Sequence, residues 1–375
     1  MGTAAGTIFG PNAVFPSLAA DVTGAPGRLF PMDQQTISER LQAQMLSGAP
    51  ARDAVAVTHA LLAIQGQDAR GARLAIRPRS CGLSAADVDR ALSDQRSLVI
   101  TWLNRGTLHL VCSEDYWWLF ELTTPPLHSA NRRRLAQEGV SEAAAERGVK
   151  VIERSLSESG PLTRMELKEC LEAAGIPTAG QALVHLLMLS TLRGLTVRGP
   201  MRDAQHAYVL VRDWLGEPVR VNRETALGEL ARRYLIGHGP ADDRDLARWA
   251  GLLLRDVRAG LGMISTELEQ RGDGLVTLRS RATPPGPLPP PRLLGQFDPL
   301  LMGWRSRLPI LGEHQSIVTT NGLFRAFALV DGRALATWRM ANGRVEIEPL
   351  QKISARVMAA LRADGKDVCR YLASE

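Results

Sequence analysis

Two carboxamides flanking a single glycine, Gln65 and Gln67 in AIQGQDARGARLAIRPR (63–79), are the sharpest chemical feature of the chain. On one continuous helix, positions i and i+2 diverge by roughly 200° at about 3.6 residues per turn. Gly66 is a poor helix former and a good helix terminator. The helix before it is therefore expected to stop near Gln65, with the turn bringing both amides to one side. That places them in the turn of a helix-turn-helix, on the side that faces DNA. The same two residues could instead cap helix ends, and the spacing alone leaves both readings open.

A second constellation lies in WLNRGTLHLV (102–111). On a strand, Arg105, Thr107 and His109 share one face. An arginine, a hydroxyl and an imidazole side by side suit a phosphate or a base edge; a solvated strand face with a core histidine is the alternative. Further arginines cluster at 132–134, at Arg193, Arg198 and Arg202, and at Arg305 with Arg307. Most arginine runs are solvated helix faces. The set at 193–202 is expected to meet phosphates, because it falls on a candidate wing. Trp117 and Trp118 sit in an apolar run and read as core. Asp298 in GQFDPLLMGW is a cap or a catalytic carboxylate, and its position favours the cap. No GxxxxGK[ST] loop, HExxH or GxSxG elbow is present. The seven histidines show no ligand-like pairing, so no metal is expected.

These residues need elements to hold them. Helices are expected at 37–47, 53–64 and 69–76, followed by strand–turn–strand over 97–111, with Asn104-Arg105-Gly106 supplying the turn. The middle of the chain holds a weak repeat. In 156–177 Gly160-Pro161 precedes a helix capped by Thr163; in 235–256 Gly239-Pro240 precedes one capped by Asp242 or Asp243. Each copy adds a further helix and a two-strand segment, the order of a winged helix-turn-helix. The fold class that follows is α+β, mainly helical, with three tandem winged helix-turn-helix domains plus a C-terminal β-rich, barrel-like region. Its predicted boundaries are a mobile extension at 1–34, winged helices at 35–135, 136–220 and 221–292, and a β-rich domain with a final helix at 293–375. The proline-rich 281–294 reads as a stiff linker or strap.

Composition bounds the function. The 375 residues are 45% apolar and 22% charged, which excludes wholesale disorder. No segment approaches the ~20 apolar residues of a membrane span, and the first residues lack the pattern of a secretory signal. The four cysteines (81, 112, 170, 369) form no CxxC pair, and a reduced, cytoplasmic setting fits. Net charge is +6 with a pI near 9.5. Only four lysines occur against 41 arginines, a bias that GC-rich coding explains but that also suits phosphate and guanine edges.

Taken together, IQGQ (64–67), TWLNRGTLHLVCSEDYWWL (101–119), GHGPADDRDLARWAGL (237–252), LLGQFDPLLMGWRSR (293–307) and GLFRAFALVDGRALATWR (322–339) resemble the winged-helix DNA glycosylases of the AlkZ/YcaQ type. The resemblance runs from about residue 37 to the C-terminus. It implies removal of alkylated bases from DNA. Glutamine at both ends of the short motif matches the AlkZ-like branch, which looks like self-resistance enzymes of producers of DNA-alkylating antibiotics. Gly66 departs from the larger apolar residue usual there and is expected to loosen the turn.

The resemblance makes Gln65 and Gln67 catalytic, holding the nucleophilic water for a bulky N7-alkylated purine. The candidate DNA contacts are Arg77, Arg105, Thr107, His109, Arg198, Arg202, Arg305 and Arg307, with His109 and Arg105 gripping the backbone beside the motif. The hairpin at 324–339 becomes a candidate probe of the groove. No lysine lies near the motif, so a monofunctional enzyme leaving an abasic site is expected. It would need no cofactor or metal and would act on double-stranded DNA as a monomer in the cytoplasm, associated with the nucleoid. Two alternatives stay open: a winged-helix regulator that binds DNA without catalysis, and a general alkylpurine repair glycosylase.

Overall fold

The computed structural model describes residues 33–202, 205–219, 221–281 and 286–373. The predicted extension at 1–34 lies almost wholly outside the described residues, as does 282–285 of the proline-rich strap. The fold is α+β, built from four successive stretches of chain.

In the first stretch, short helices begin where an aspartate or serine can satisfy free amides. Asp33 accepts from Thr36 N at the head of α1 (Gln34–Ala43), and Asp53 accepts from Ala56 N at α2 (Ala54–Leu61). Asp68 accepts from Gly71 N at α3 (Ala69–Ile76), and Ser84 with Asp87 forms a capping box at α4 (Ala85–Ser93). Between α2 and α3 lies the two-residue strand β1 (Ile64–Gln65). Strands β2 (Leu98–Leu103) and β3 (Thr107–Cys112) make the expected hairpin, buried on both faces. Helices α5 (Tyr116–Thr123) and α6 (Leu127–Gln137) follow.

The second stretch carries α7 (Glu142–Ser159), α8 (Arg164–Ala173), α9 (Ala182–Leu192), the hairpin β4 (Thr196–Arg202) and β5 (Gln205–Leu210), and the single turn α10 (Val211–Trp214). Thr163 caps α8 in a capping box with Glu166, as its position predicts. The third carries α11 (Arg223–His238), α12 (Asp243–Ala250), α13 (Leu254–Met263) and the hairpin β6 (Leu268–Gln270) and β7 (Val276–Leu278). Asp242, not Asp243, caps α12. Helices followed by a hairpin thus recur three times, in the predicted order.

The last stretch contains β8 (Arg292–Leu294), the short α14 (Leu308–Leu311), β9 (Phe327–Val330), β10 (Arg333–Ala341), β11 (Arg344–Pro349) and α15 (Ala355–Leu372). The expected barrel-like closure does not occur. The sheet is open, in the order β11-β10-β9-β8, and among the described residues no sheet is closed. Tyr371 and Leu361 of α15 join the core on that sheet, so a helix rather than further strands covers the apolar side.

The units do not stand apart. The first two hairpins merge into one five-stranded sheet, β1-β3-β2-β4-β5, joined where Ile100 faces Arg198. One core runs from Val99 and Tyr116 through Leu230 and Trp249 to Trp304 and Phe327, tying the first, third and last stretches together. Buried ion pairs cross the same seams. Arg79 meets Asp298 at 2.8 Å with neither side chain exposed, and Arg233 meets Asp115 at 2.8 Å.

Candidate active site

Gln65 does not sit in a turn between helices. Helix α2 ends at Leu61, where Leu62 takes φ 66°, and the chain enters β1, the edge strand of the five-stranded sheet. The reason is pairing: β1 lies antiparallel to β3, with Gln65 opposite His109, and Gly66 N donates to Leu108 O at 2.7 Å. Gly66 is therefore held in the ladder rather than loosened. A Cβ there would meet Ile100 Cγ2 and Leu110 N at 3.4 Å, ordinary contact.

Strand register builds the site. Residues opposite one another share a face, so Gln65 of β1, His109 of β3 and Thr101 of β2 form one polar row across three strands. Thr107 stands two residues from His109 on that face. Both glutamines are buried, Gln65 at 4% exposure and Gln67 at 8%. Gln65 Nε2 donates to Gln67 Oε1, so the two amides are joined as the sequence suggested. The bond leaves Gln65 Oε1 and Gln67 Nε2 without partners. Thr101 Oγ1, Thr107 Oγ1 and both amide atoms of Asn104 are likewise buried and unpartnered. Buried polar atoms are nearly always hydrogen-bonded, so this many orphans on and beside one sheet face marks a place meant for a polar guest.

The histidine there is a neutral acceptor. His109 Nδ1 lies 3.0 Å from the Thr107 carbonyl, which can only accept, so Nδ1 carries the proton and Nε2 a lone pair. Burial, aided by the charge of Arg105, pushes its pKa down to about 3. The backbone around the site is strained: besides Leu62, Asn104 and Arg105 have φ of 27° and 30°.

Arg105 holds its expected place in the turn but not the expected strand face. It lies in the 3-10 turn Asn104–Gly106 rather than on the strand beside Thr107 and His109, and it reaches to the third unit. Its guanidinium donates to the carbonyls of Arg248 at 2.9 Å and Trp249 at 2.6 Å. Burial, then the charges of Arg248 and Arg307, lower its pKa to about 10. Arg77 is a clear correction. It is buried, donating to Asp364, Asp367 and Leu293 O, because the four-stranded sheet and α15 pack over α3; it ties scaffold together and faces no DNA.

The remaining arginines are dispersed. Arg198 donates to the Tyr208 hydroxyl at 2.7 Å. Arg202 pairs with Glu166 at 3.3 Å, and Arg193 pairs with Glu146. Arg305 bridges to Asp242 at 2.9 Å and Asp245 at 3.5 Å. Arg307 donates to Leu301 O and stacks on Phe324. Asp298 is a cap, accepting from Leu300 N, and is also neutralised by Arg79. Cys112, Glu114 and Asp115 lie near one another, but Asp115 is engaged by Arg233 and burial pushes the Cys112 thiol up to about 12, poor terms for a metal. Thr101 and Arg248 escaped the sequence reading, and Asn104 enters it only as turn chemistry. Thr101 had a signal, since it interrupts the otherwise apolar LVITWL.

The chain as a whole is similar to known DNA glycosylases. The family model described as DNA glycosylase AlkZ-like matches residues 58–371. The Interstrand DNA cross-link repair glycosylase of Streptomyces sahachiroi is 25% identical over 364 residues, spanning 90% of this chain and 95% of that protein. The solved structure of Streptomyces sahachiroi DNA glycosylase AlkZ superposes with a TM-score of 0.73 at 23% identity, covering 90% of this chain and 96% of that one.

Proposed function

Since the chain belongs to the AlkZ-like family of DNA glycosylases, we propose that it hydrolyses the N-glycosidic bond of bulky N7-alkylated purines in duplex DNA, with Gln65 and Gln67 holding the water. The family sets aside a regulator without catalysis. The observation that carries the residue assignment is the joined amide pair, which keeps one free acceptor, Gln65 Oε1, and one free donor, Gln67 Nε2, both buried. A water between them donates one proton to Gln65 Oε1. Its lone pair is then free to point at a sugar carbon.

The chemistry asks for little more. N7 alkylation makes the purine cationic, so the C1′–N9 bond breaks with its electron pair going to the base. Water adds to the oxocarbenium-like C1′, and the proton it sheds is acidic enough to leave without a strong base. Positioning and a fixed polar surround supply the rate. No lysine stands near the motif, since Lys150 is the first in the sequence; the product is therefore an abasic site with the strand intact.

The wider reading follows. The three helix–hairpin units serve as winged helices on DNA, and one chain carries a whole site, so a monomer acts. The S. sahachiroi relative is named for interstrand cross-link repair; unhooking such a link at N7 of a purine is the same bond cleavage, and protection of a producer from its own alkylating product is the biological role that fits. Among the described residues no helix is long and apolar enough to cross a membrane.

The test is release of free base from a duplex carrying a bulky N7-alkylguanine. Q65A and Q67A are expected to slow single-turnover release about 100-fold or more while duplex affinity holds. Release that persists in the double variant, or strand cleavage trapped by borohydride, overturns the assignment.

A further inference from the structure

Every fully buried guanidinium among the described residues is neutralised. Arg40, Arg73, Arg77, Arg79 and Arg233 each have an aspartate oxygen within 3.5 Å. An unpaired buried charge is costly, and these pairs remove that cost. Arg105, Arg248 and Arg307 break the pattern at one place. Arg105 and Arg307 are half-buried, yet their hydrogen bonds go only to neutral carbonyls, those of Arg248, Trp249 and Leu301. Carbonyls fix the direction of a guanidinium without cancelling its charge.

The three come from separate stretches that the fold forces together. Arg105 sits in the β2–β3 turn and bonds to the carbonyl of Arg248 itself. Gly251, at φ 72°, lets that turn approach the end of α12, since a Cβ would lie 2.8 Å from Arg105 N. The segment leading to Arg307 is tied to the end of α11 and the start of α12: Trp304 Nε1 donates to His238 O at 2.9 Å, and Arg305 N donates to Asp245 Oδ1 at 2.9 Å. The Phe324 ring then holds the Arg307 guanidinium at 4.8 Å from its centroid. Burial, with Arg248 alongside, lowers the pKa of Arg105 and of Arg307 to about 10. The cluster adjoins the glutamine site, because the turn holding Arg105 leads directly into Thr107 of β3 and the charge of Arg105 reaches His109.

We propose that Arg105, Arg248 and Arg307 form a clamp for one backbone phosphate of the DNA beside the lesion, and that this phosphate is the missing counter-charge of the cluster. Guanidinium forks match a tetrahedral anion, and these three residues come to one place from three separate stretches of chain. The clamp sets the strand in register over Gln65 and Gln67, and so rests on the glycosylase reading of that site. Arg248 is its diagnostic member, since among the described residues its guanidinium has no ion pair or hydrogen bond to give up, and its bond to Arg105 is made by the backbone carbonyl.

Duplex binding, measured against salt by fluorescence anisotropy, tests the clamp without any hydrolysis. R248A and R307A are each expected to lower the slope of log affinity against log salt by about one. Each should weaken binding about tenfold, equally for alkylated and undamaged duplexes. Slope and affinity are read without hydrolysis, so failure of the glutamine assignment would leave them as they are and is told apart. R362A, on the exposed face of α15, should change neither. A neutral methylphosphonate scanned along the strand should weaken the parent at one linkage and leave R248A unaffected there. Unchanged slope and affinity in R248A with an unaltered circular dichroism spectrum, or losses that add fully at every linkage, overturn the clamp.

Discussion

At the scale of single residues, the site is neutral. Two carboxamides, two hydroxyls and an imidazole whose pKa lies at about 3 have no charge to gain or lose near neutrality. Base release at saturating enzyme is therefore expected to stay flat between about pH 6 and about pH 8, whereas a general base would give a sloping limb. A limb with a midpoint near 6.5 would show that His109 titrates and that its buried, neutral state is wrong. Thr101 tests the polar row in another way. Its hydroxyl is buried and unpartnered beside His109, so T101V should cost little or no stability, because no hydrogen bond within the protein is lost. It should still slow release several-fold if the hydroxyl completes the cradle for substrate or water. An unchanged rate would confine the cradle to the two glutamines.

At the scale of elements, function depends on how closely the β2–β3 turn meets α12. Gly251 serves two needs at once: φ of 72° and a gap too small for a methyl beside Arg105. G251A is expected to cost about 1–3 kcal/mol through that strain and to push the turn away, weakening DNA binding along with stability. Denaturant unfolding and anisotropy together check it; a neutral effect on both would mean that the contact is slack. Gly66 is the contrasting case. It has neither a left-handed φ nor a forbidding neighbour, so G66A should keep fold and activity, as measured by melting and base release.

At the scale of the whole molecule, buried polar groups hold the separate stretches in register. Arg79 and Asp298 are the deepest such pair, with both side chains fully buried. R79M strands the aspartate and is expected to cost about 3–5 kcal/mol in denaturant unfolding; a loss under about 1 kcal/mol would show that the pair is dispensable. Acid should loosen the same core. His109 and His238 are buried, and burial lowers each to about 3. An unfolded histidine takes its proton near 6.5, so below that pH the unfolded chain binds more protons than the folded one. Stability present above about pH 6.5 is thus lost as pH falls toward about 3, by up to ~1.4 kcal/mol per pH unit for each histidine. Urea midpoints measured from pH 7 to pH 5 should fall, and less steeply in H238F.

Much was legible in local sequence because its causes are local. The cap at Thr163, the helix at 69–76 and the hairpin turn at Asn104-Arg105-Gly106 follow from which side chain can satisfy a free amide or tolerate a bend. The recurrence of helices before a hairpin came from the same reading, which also singled out Gln65 and Gln67 as candidates. Tertiary structure alone decided that Gln65 lies on an edge strand, because strand pairing with His109 is a contact between residues 44 apart in sequence that no local pattern encodes. It decided that Arg77 is scaffold and that Arg248 joins Arg105, since the role of an arginine depends on whether a carboxylate from a distant stretch arrives beside it. It also left the last sheet open, with a helix taking the place of the strands that would have closed it. Local chemistry chooses the elements; only the packing of distant segments determines which polar groups are paired and which are left waiting for a substrate.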